Sequence, residues 1–210
     1  MIFRDRFEAA ELLAEKLKDF IDENSVVIAL PRGGVPIAAV IAKKYNIPMD
    51  IYFVKKIPSP YNPEAAIGAV SEDGMKFVDE RAKIMLNVAD QYIDDVIEKK
   101  KDEMKQKREL YKKEKIDVKD KTVIVVDDGI ATGASMLVAA KSLKEAGAKK
   151  VIIAAPVAPP EVVAKLKEVA DEVVLMQTPP DFMAVGQFYQ DFHQLDDEEV
   201  IELLKSQNQA

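Results

Sequence analysis

The chain has 210 residues, which is room for one domain of ordinary size or for one domain with a small appendage. Its 30 Lys and Arg residues against 37 Asp and Glu residues leave a net charge of −7, which disfavours polyanion binding over the whole surface. The absence of cysteine excludes disulfides, thiolate metal sites and cysteine nucleophiles. The single histidine, His193, excludes a histidine-rich metal cluster and would have to belong to any Ser-His-Asp triad.

The N-terminus and the apolar runs of the sequence predict a cytoplasmic protein. Residues 1–6 are charged almost from the start and lack the apolar core of a signal peptide. No apolar run approaches the roughly 20 residues that span a bilayer, so no membrane is expected as a partner. The lack of cysteine agrees with a reducing compartment.

Short apolar runs alternate with stretches of helical periodicity along most of the chain. Residues 7–20 begin this pattern with an amphipathic helix. Its predicted apolar face comprises Phe7, Leu12, Leu13, Leu17 and Phe20. The other predicted helices are 35–45, 135–146 and 161–170, and the predicted strands are 25–30, 49–54, 123–126, 151–155 and 173–176.

The predicted strands are continuous apolar runs rather than alternating ones, and helices separate most of them. A strand that is apolar at every position is buried on both of its faces. The sequence therefore predicts the α/β class, with a mainly parallel sheet and helices on both faces. The whole chain, residues 1–210, is expected to form one domain.

Two segments depart from this alternation. Residues 57–78 are rich in Pro and Gly, and Asp73-Gly74 between two apolar runs predicts a hairpin turn. Residues 89–121 are dense in Lys and Glu, which favours a solvated helix that carries charge pairs. Nucleic-acid binding by this second segment stays an alternative, although Tyr111 is the only aromatic residue interleaved in its more basic half.

Acidic and small residues follow the apolar run at 123–126. Asp127 and Asp128 come first, a loop of small residues with Thr132 follows, and a helix begins near Ser135. Unpaired N–H groups at a helix N-terminus form a cradle for phosphate. The carboxylates accept hydrogen bonds from sugar hydroxyls or hold Mg²⁺. The two features together suit a ribose 5-phosphate.

A second anion site is indicated where the first predicted strand ends in Pro31-Arg32-Gly33-Gly34. The guanidinium of an arginine is a forked donor, and glycines expose their N–H groups. Each loop also has a simpler interpretation on its own, because Pro-Arg-Gly-Gly is an ordinary turn and a serine at a helix start is a plain N-cap. Taken together, the loops describe one ligand with two separate phosphate groups and a ribose between them.

Residues 127–135, preceded by four β-branched residues, resemble the phosphoribosyl-diphosphate signature of the type I phosphoribosyltransferases, and 30–34 resemble their diphosphate loop. The order of elements is similar over about 20–178. With 62–64 and 185–192, these stretches are similar to a subgroup without an assigned substrate. The resemblance covers nearly the whole chain. It implies Mg²⁺-dependent transfer of ribose 5-phosphate from 5-phosphoribosyl 1-diphosphate to a nitrogenous base, with release of diphosphate.

The resemblance also implies a role for each motif. Asp127 and Asp128 would bind the ribose 2- and 3-hydroxyls, directly or through Mg²⁺, and Arg32 with Lys56 would stabilise the leaving diphosphate. Lys56 is expected at the end of the second strand of the sheet. Diphosphate would also contact Gly33 and Gly34, and the 5-phosphate would contact Gly129, Ile130, Ala131, Thr132, Gly133, Ala134 and Ser135.

Two further parts of the chain would complete such a site. A lid at about 57–78 would close over the reacting groups and exclude water. A hood at about 178–195, followed by a C-terminal helix, would bind the base. Phe182, Val185 and Tyr189 are the candidate base contacts, and core packing is the alternative for the aromatic rings.

The acceptor and the assembly rest on the resemblance alone. The hood is similar to that of oxopurine salvage enzymes with a displaced spacing around Gly186, whereas Ala131 is more like the adenine enzyme. These features favour a purine-like base and a role in nucleotide salvage, and a homodimer is expected because the family usually forms one. The alternative function is a regulatory protein that senses phosphoribosyl diphosphate or a nucleotide on the same fold.

Overall fold

A computed structural model describes residues 1–208 as an α/β fold with a five-stranded parallel sheet and a three-stranded antiparallel sheet. The helices are α1 (Arg6–Lys16), α2 (Gly34–Tyr45), α3 (Glu80–Met85), α4 (Asp90–Tyr111), α5 (Ala134–Glu145), α6 (Pro160–Val169) and α7 (Asp197–Asn208). The strands are β1 (Ser25–Ala29), β2 (Met49–Ile51), β3 (Val54–Pro58), β4 (Ala66–Ser71), β5 (Lys76–Val78), β6 (Thr122–Val126), β7 (Lys150–Val157) and β8 (Glu172–Gln177). The predicted α/β class is confirmed.

The parallel sheet has the strand order β2-β1-β6-β7-β8. Because helices cover both of its faces, β1 and β6 are buried at every position. Side chains alternate between two apolar layers. Ile124 lies in the layer that contains Leu13 of α1, and Val125 lies in the layer that contains Met136 of α5.

The predicted strand at 49–54 is in fact parts of two strands in different sheets. Tyr52 N–H still donates to the carbonyl of Ala29 in the parallel sheet, at 2.9 Å. The next residue, Phe53, pairs instead with Glu72, whose N–H donates to the Phe53 carbonyl at 2.9 Å. The chain therefore leaves one sheet for the other between these residues, and Val54 starts the antiparallel sheet. The predicted hairpin is confirmed as β4 and β5, with Gly74 in the left-handed region (φ +88°).

The first helix is shorter than predicted and buries a different face. It ends at Lys16, and a single 3-10 turn follows over Lys18–Phe20. Phe7 and Leu12 are 45% and 38% exposed, so they do not belong to its core face. The buried face is made of small side chains together with one leucine and one arginine, and comprises Arg6, Ala9, Ala10, Leu13 and Ala14.

The charged segment forms the 22-residue helix α4 and is only partly a solvated surface. Lys100 and Glu103 make a partly exposed ion pair of the predicted kind, at 3.5 Å. Arg108, in contrast, is buried and donates to Asp50 Oδ1 at 2.9 Å and to Glu72 Oε1 at 2.6 Å. This arginine ties α4 to both sheets. None of the helices within residues 1–208 combines the length and hydropathy of a bilayer-spanning segment.

Replacing Arg108 with methionine is expected to lower the free energy of unfolding by about 3 kcal/mol, because it removes the cation closest to the buried carboxylates of Asp50 and Glu72 and leaves only the more distant Lys112 and Lys115. Lys99→Met on the same helix is the control, since Lys99 is exposed, and its effect should stay within about 0.5 kcal/mol. Urea denaturation followed by circular dichroism measures both. Equal stability of the two variants would show that the buried cluster contributes nothing to the fold.

Candidate functional site

The two predicted anion loops meet at one edge of the parallel sheet. They follow β1 and β6, which pair directly in parallel, so both loops leave the sheet at its carboxyl edge. Leu30 N–H donates to the carbonyl of Val126 at 3.0 Å, which joins the loops where they begin. A Cβ atom on Gly33 would lie 2.1 Å from Asp128 Oδ2, and one on Gly34 would lie 2.6 Å from the Val126 oxygen. Only glycine permits this approach. The peptide bond between Pro31 and Arg32 is cis.

The loop after β6 presents backbone N–H groups without partners. Ala131, Thr132 and Gly133 donate to no acceptor within residues 1–208. Gly133 has a left-handed backbone (φ +82°) and precedes the first residue of α5, so the helix begins one residue earlier than predicted and Ser135 lies inside its first turn. The simple N-cap interpretation of Ser135 is therefore wrong. Free N–H groups at a helix N-terminus make this loop a suitable site for a phosphate.

The acid pair keeps two carboxylate oxygens available. Asp127 Oδ1 accepts a hydrogen bond from the Asp128 N–H at 2.8 Å, and Asp128 Oδ2 accepts one from Arg6 at 2.9 Å. The other oxygen of each carboxylate accepts no hydrogen bond from a donor within residues 1–208. Burial, and then the negative charge of Asp128, raise the pKa of Asp127 well above its ordinary value. Two such oxygens side by side can accept hydrogen bonds from vicinal hydroxyls or bind a hard cation.

Arg6 is a site residue that the sequence interpretation missed. Its side chain is 8% exposed, its Nε donates to Asp128, and its Nη1 donates to the carbonyl of His193 at 2.9 Å. Its guanidinium lies over the Phe192 ring, 4.2 Å from the centroid. Arg6 lies on the buried face of α1 with Ala9 and Ala10, but small side chains give no apolar periodicity by which that face could be recognised.

The hood residues divide between the site and the core. Tyr189 is 6% exposed, and its ring lies near Phe3 (5.4 Å between centroids) and stacks on Phe192 (5.1 Å). Its hydroxyl donates to the Asp128 carbonyl at 2.6 Å. Protein aromatic rings lie against Tyr189, which favours the core-packing alternative for this residue over stacking on a base. Phe182 stacks on Phe188 at 5.5 Å and stays partly exposed.

Val185 of the hood packs against the loop that follows β6. A Cβ atom on Gly129 would lie 2.4 Å from a methyl carbon of Val185, so the hood packs directly on the loop. His193 is an exposed surface residue whose ring lies 3.0 Å from both Asp191 and Glu199. The hydrogen bond to Glu199 is the largest cause that raises the pKa of His193, and the hydrogen bond to Asp191 is the next.

Six of the predicted site residues line two separate cavities, with Arg32, Gly33 and Asp128 at the first and Lys56, Thr132 and Ala134 at the second. The first, of about 280 Å³, is lined by Arg6, Arg32, Gly33, Asp128, Phe192, Gln194 and Leu195. The second, of about 530 Å³, brings Lys56 and Glu64 together with Thr132 and Ala134. Lys56 does not end a strand of the parallel sheet as expected, because it lies within β3. It nevertheless faces the cleft beside the phosphate loop, whereas Lys55 approaches Glu103 at 3.7 Å.

The chain is similar to known proteins over most of its length. Residues 5–193 match the family model described as the phosphoribosyl transferase domain. Two provisionally named phosphoribosyl transferases of Mycobacterium tuberculosis, from strains H37Rv and CDC 1551, are each 37% identical over 97% of the chain. The match covers 46% of each of these relatives, so the chain spans about half of their length.

Solved structures show the same fold. TT1426 from Thermus thermophilus is 41% identical, with a TM-score of 0.83, over 98% of this chain and 99% of that one. A hypoxanthine-guanine phosphoribosyltransferase from Bacillus anthracis is 17% identical, with a TM-score of 0.51, over 87% of this chain and 84% of that one. At that identity the likeness concerns the fold alone. The match to the family model over most of its length shows that the chain belongs to the phosphoribosyl transferase domain family.

Proposed function

We propose that the protein is a phosphoribosyltransferase that moves ribose 5-phosphate from 5-phosphoribosyl 1-diphosphate to a nitrogenous base and releases diphosphate. The observation that carries this proposal is the meeting of two anion loops with an acid pair between them. Gly33 of the first loop touches the carboxylate of Asp128 at the start of the second. A donor with a phosphate at one end, a diphosphate at the other and a ribose in the middle matches that order of groups.

Each part of the donor has a partner of suitable chemistry. The 5-phosphate is placed on the free N–H groups of Ala131 to Gly133 and on the first turn of α5. The ribose hydroxyls are placed on the open oxygens of Asp127 and Asp128. The diphosphate is placed on Arg32 and on the backbone of its glycine neighbours, at the first cavity.

The reaction then needs stabilisation of charge rather than covalent help from the chain. The C1–O bond breaks with its electron pair leaving on diphosphate, the C1–N bond to the base forms, and the N–H proton of the base passes to water. Positive charge grows on the ribose and negative charge grows on diphosphate, so Arg32 at the first cavity would favour departure of the leaving group. Lys56 lines the second cavity and would contribute once the lid that follows it closes over the donor. This assignment agrees with a chain that has no cysteine and has its only histidine on the surface.

The residues present fit a bound Mg²⁺. Within residues 1–208 no cluster of three or more acidic or histidine ligands is found, but Mg²⁺ is commonly held by one or two carboxylates plus substrate phosphates. Asp127 and Asp128 each keep an oxygen free for that purpose. When bound, the cation would neutralise charge on the diphosphate.

The lid and the hood complete the proposal. The loop between β3 and β4 carries Glu64, which shares the second cavity with Lys56 and Thr132. Closure of residues 57–78 over the donor would exclude water from the reactive ribose. Phe182 and Val185 are the hood residues proposed to contact the base, for which a purine-like acceptor in nucleotide salvage is favoured. The protein is further proposed to work as a cytoplasmic homodimer.

Asp128→Asn is expected to lower base-dependent release of diphosphate by about 100-fold or more, because it removes a charge aligned with the developing cation. Asp120→Asn is the matched control, since Asp120 is exposed and its left-handed backbone (φ 61°) suits asparagine. The assay measures diphosphate release with Mg²⁺, the donor and a panel of purines, pyrimidines and nicotinic-type acids. Calorimetry reports donor binding in parallel.

The outcomes of that assay separate the enzyme from the regulatory alternative. Turnover of one base, lost in Asp128→Asn and retained in Asp120→Asn, supports the transferase. Donor binding by the wild type without turnover of any base would leave the sensor function. No binding of the donor in the presence of Mg²⁺ would remove both.

Asp127→Asn is expected to stabilise the protein while it lowers the activity. The pKa of Asp127 is raised on folding, so the stability that its protonated form contributes is full below the ordinary value of 3.8 and is lost as pH rises through the raised value. Asparagine keeps the oxygen that accepts from the Asp128 N–H and removes the repulsion. At neutral pH we expect a Tm about 2–4 °C higher than wild type, as for a gain of roughly 1 kcal/mol.

Thermal unfolding of both proteins between pH 4 and pH 8 measures this effect. The advantage of Asp127→Asn should grow as pH rises, and Asp120→Asn should show no such growth. A variant that is less stable than wild type at every pH would contradict the repulsion between the two carboxyl groups.

A further inference from the structure

The Arg6 guanidinium has one nitrogen that the protein does not use. Nε donates to Asp128 Oδ2 and Nη1 donates to the His193 carbonyl, each at 2.9 Å. Nη2 donates to no acceptor within residues 1–208. No fully buried side-chain nitrogen or oxygen in that part of the chain lacks a partner. Nη2 therefore reaches open space although the Arg6 side chain is only 8% exposed.

The Arg6 side chain also lines the first cavity of the site, together with Arg32, Gly33 and Asp128. Two arginines from different elements, one from α1 and one from the loop after β1, thus border a cavity of about 280 Å³. A paired arrangement of guanidinium groups suits an anion with several oxygens.

The Arg6 side chain is also held in one orientation. The Phe192 ring lies 4.2 Å from the guanidinium carbon, and Phe192 in turn stacks on Tyr189. With Nε and Nη1 fixed by hydrogen bonds, the direction of Nη2 follows from the planar geometry of the group. Binding of a ligand at Nη2 would therefore cost little conformational entropy.

We propose that Arg6 is a substrate-binding residue that donates from Nη2 to the diphosphate end of the donor, in the cavity that it shares with Arg32 and Gly33. This inference rests on the proposed function. In it, the same guanidinium orients Asp128 through Nε and contacts the leaving group through Nη2. The N-terminal helix thereby becomes part of the donor site.

The test compares ligands with and without diphosphate on Arg6→Gln. Calorimetry with Mg²⁺ measures binding of inorganic diphosphate, of 5-phosphoribosyl 1-diphosphate and of ribose 5-phosphate. We expect the first two affinities to fall by about 10- to 100-fold, the range for a hydrogen bond to a charged group, and the third to change by less than about threefold. Arg4→Gln, an exposed neighbour that loses the same charge, is the control and should bind all three ligands normally.

Arg6→Lys is a second variant, which tests the proposal if Arg6→Gln folds poorly. Its ammonium can pair with Asp128 but lacks the fork, so a selective loss of diphosphate affinity should persist. Equal losses for all three ligands would overturn the proposal and leave Arg6 as a support for Asp128. Unchanged affinities in both variants would overturn it as well. Failure of the wild type to bind the donor would instead overturn the proposed function, on which the inference depends.

Discussion

The close approach of Gly33 to Asp128 is the contact on which the site depends, because it brings the two loops directly against each other. β1 and β6 pair in parallel along their whole length, so the chain turns twice at the same edge of the sheet. Any side chain at Gly33 would overlap the Asp128 carboxylate. The Asp128 carboxylate would have to move away from its position beside Arg6, or the loop of Gly33 would have to shift. A packing requirement in the backbone thus decides what the charged groups can do.

The α/β class and both loops could be predicted because their signals are local. Each consists of a short apolar run that ends in a few small or charged residues. The participation of α1 could not be predicted in this way, since Arg6 and Asp128 are 122 residues apart. The buried face of α1 was also hidden, because Ala9 and Ala10 pack closely without the large apolar residues that periodicity detects. Phe7, the most conspicuous residue of the predicted face, is 45% exposed instead.

The positions of Lys56 and Tyr189 also depend on hydrogen bonds between distant segments, which a sequence-based prediction could not include. The chain changes sheets after Tyr52 because the turn that contains Glu72 offers a new partner for Phe53. This exchange moves Lys56 out of the parallel sheet and into the wall of the second cavity. Tyr189 similarly turns inward because the Asp128 carbonyl accepts from its hydroxyl. An aromatic residue in the hood can either contact a base or pack in the core, and the neighbouring sequence does not distinguish the two.

The electrostatics of the site explain why an arginine, rather than a lysine, suits the position beside the acid pair. Burial and Asp128 raise the pKa of Asp127, and the charge of Arg6 acts in the opposite direction. The single ammonium group of a lysine could pair with Asp128 and offset this repulsion. It could not at the same time direct a second, fixed donor towards an anion in the cavity. The fork of a guanidinium separates the two tasks, because Nε faces the acid and Nη2 faces the open space. In a chain with a net charge of −7, such a local arrangement would let the proposed anionic donor approach two carboxylates.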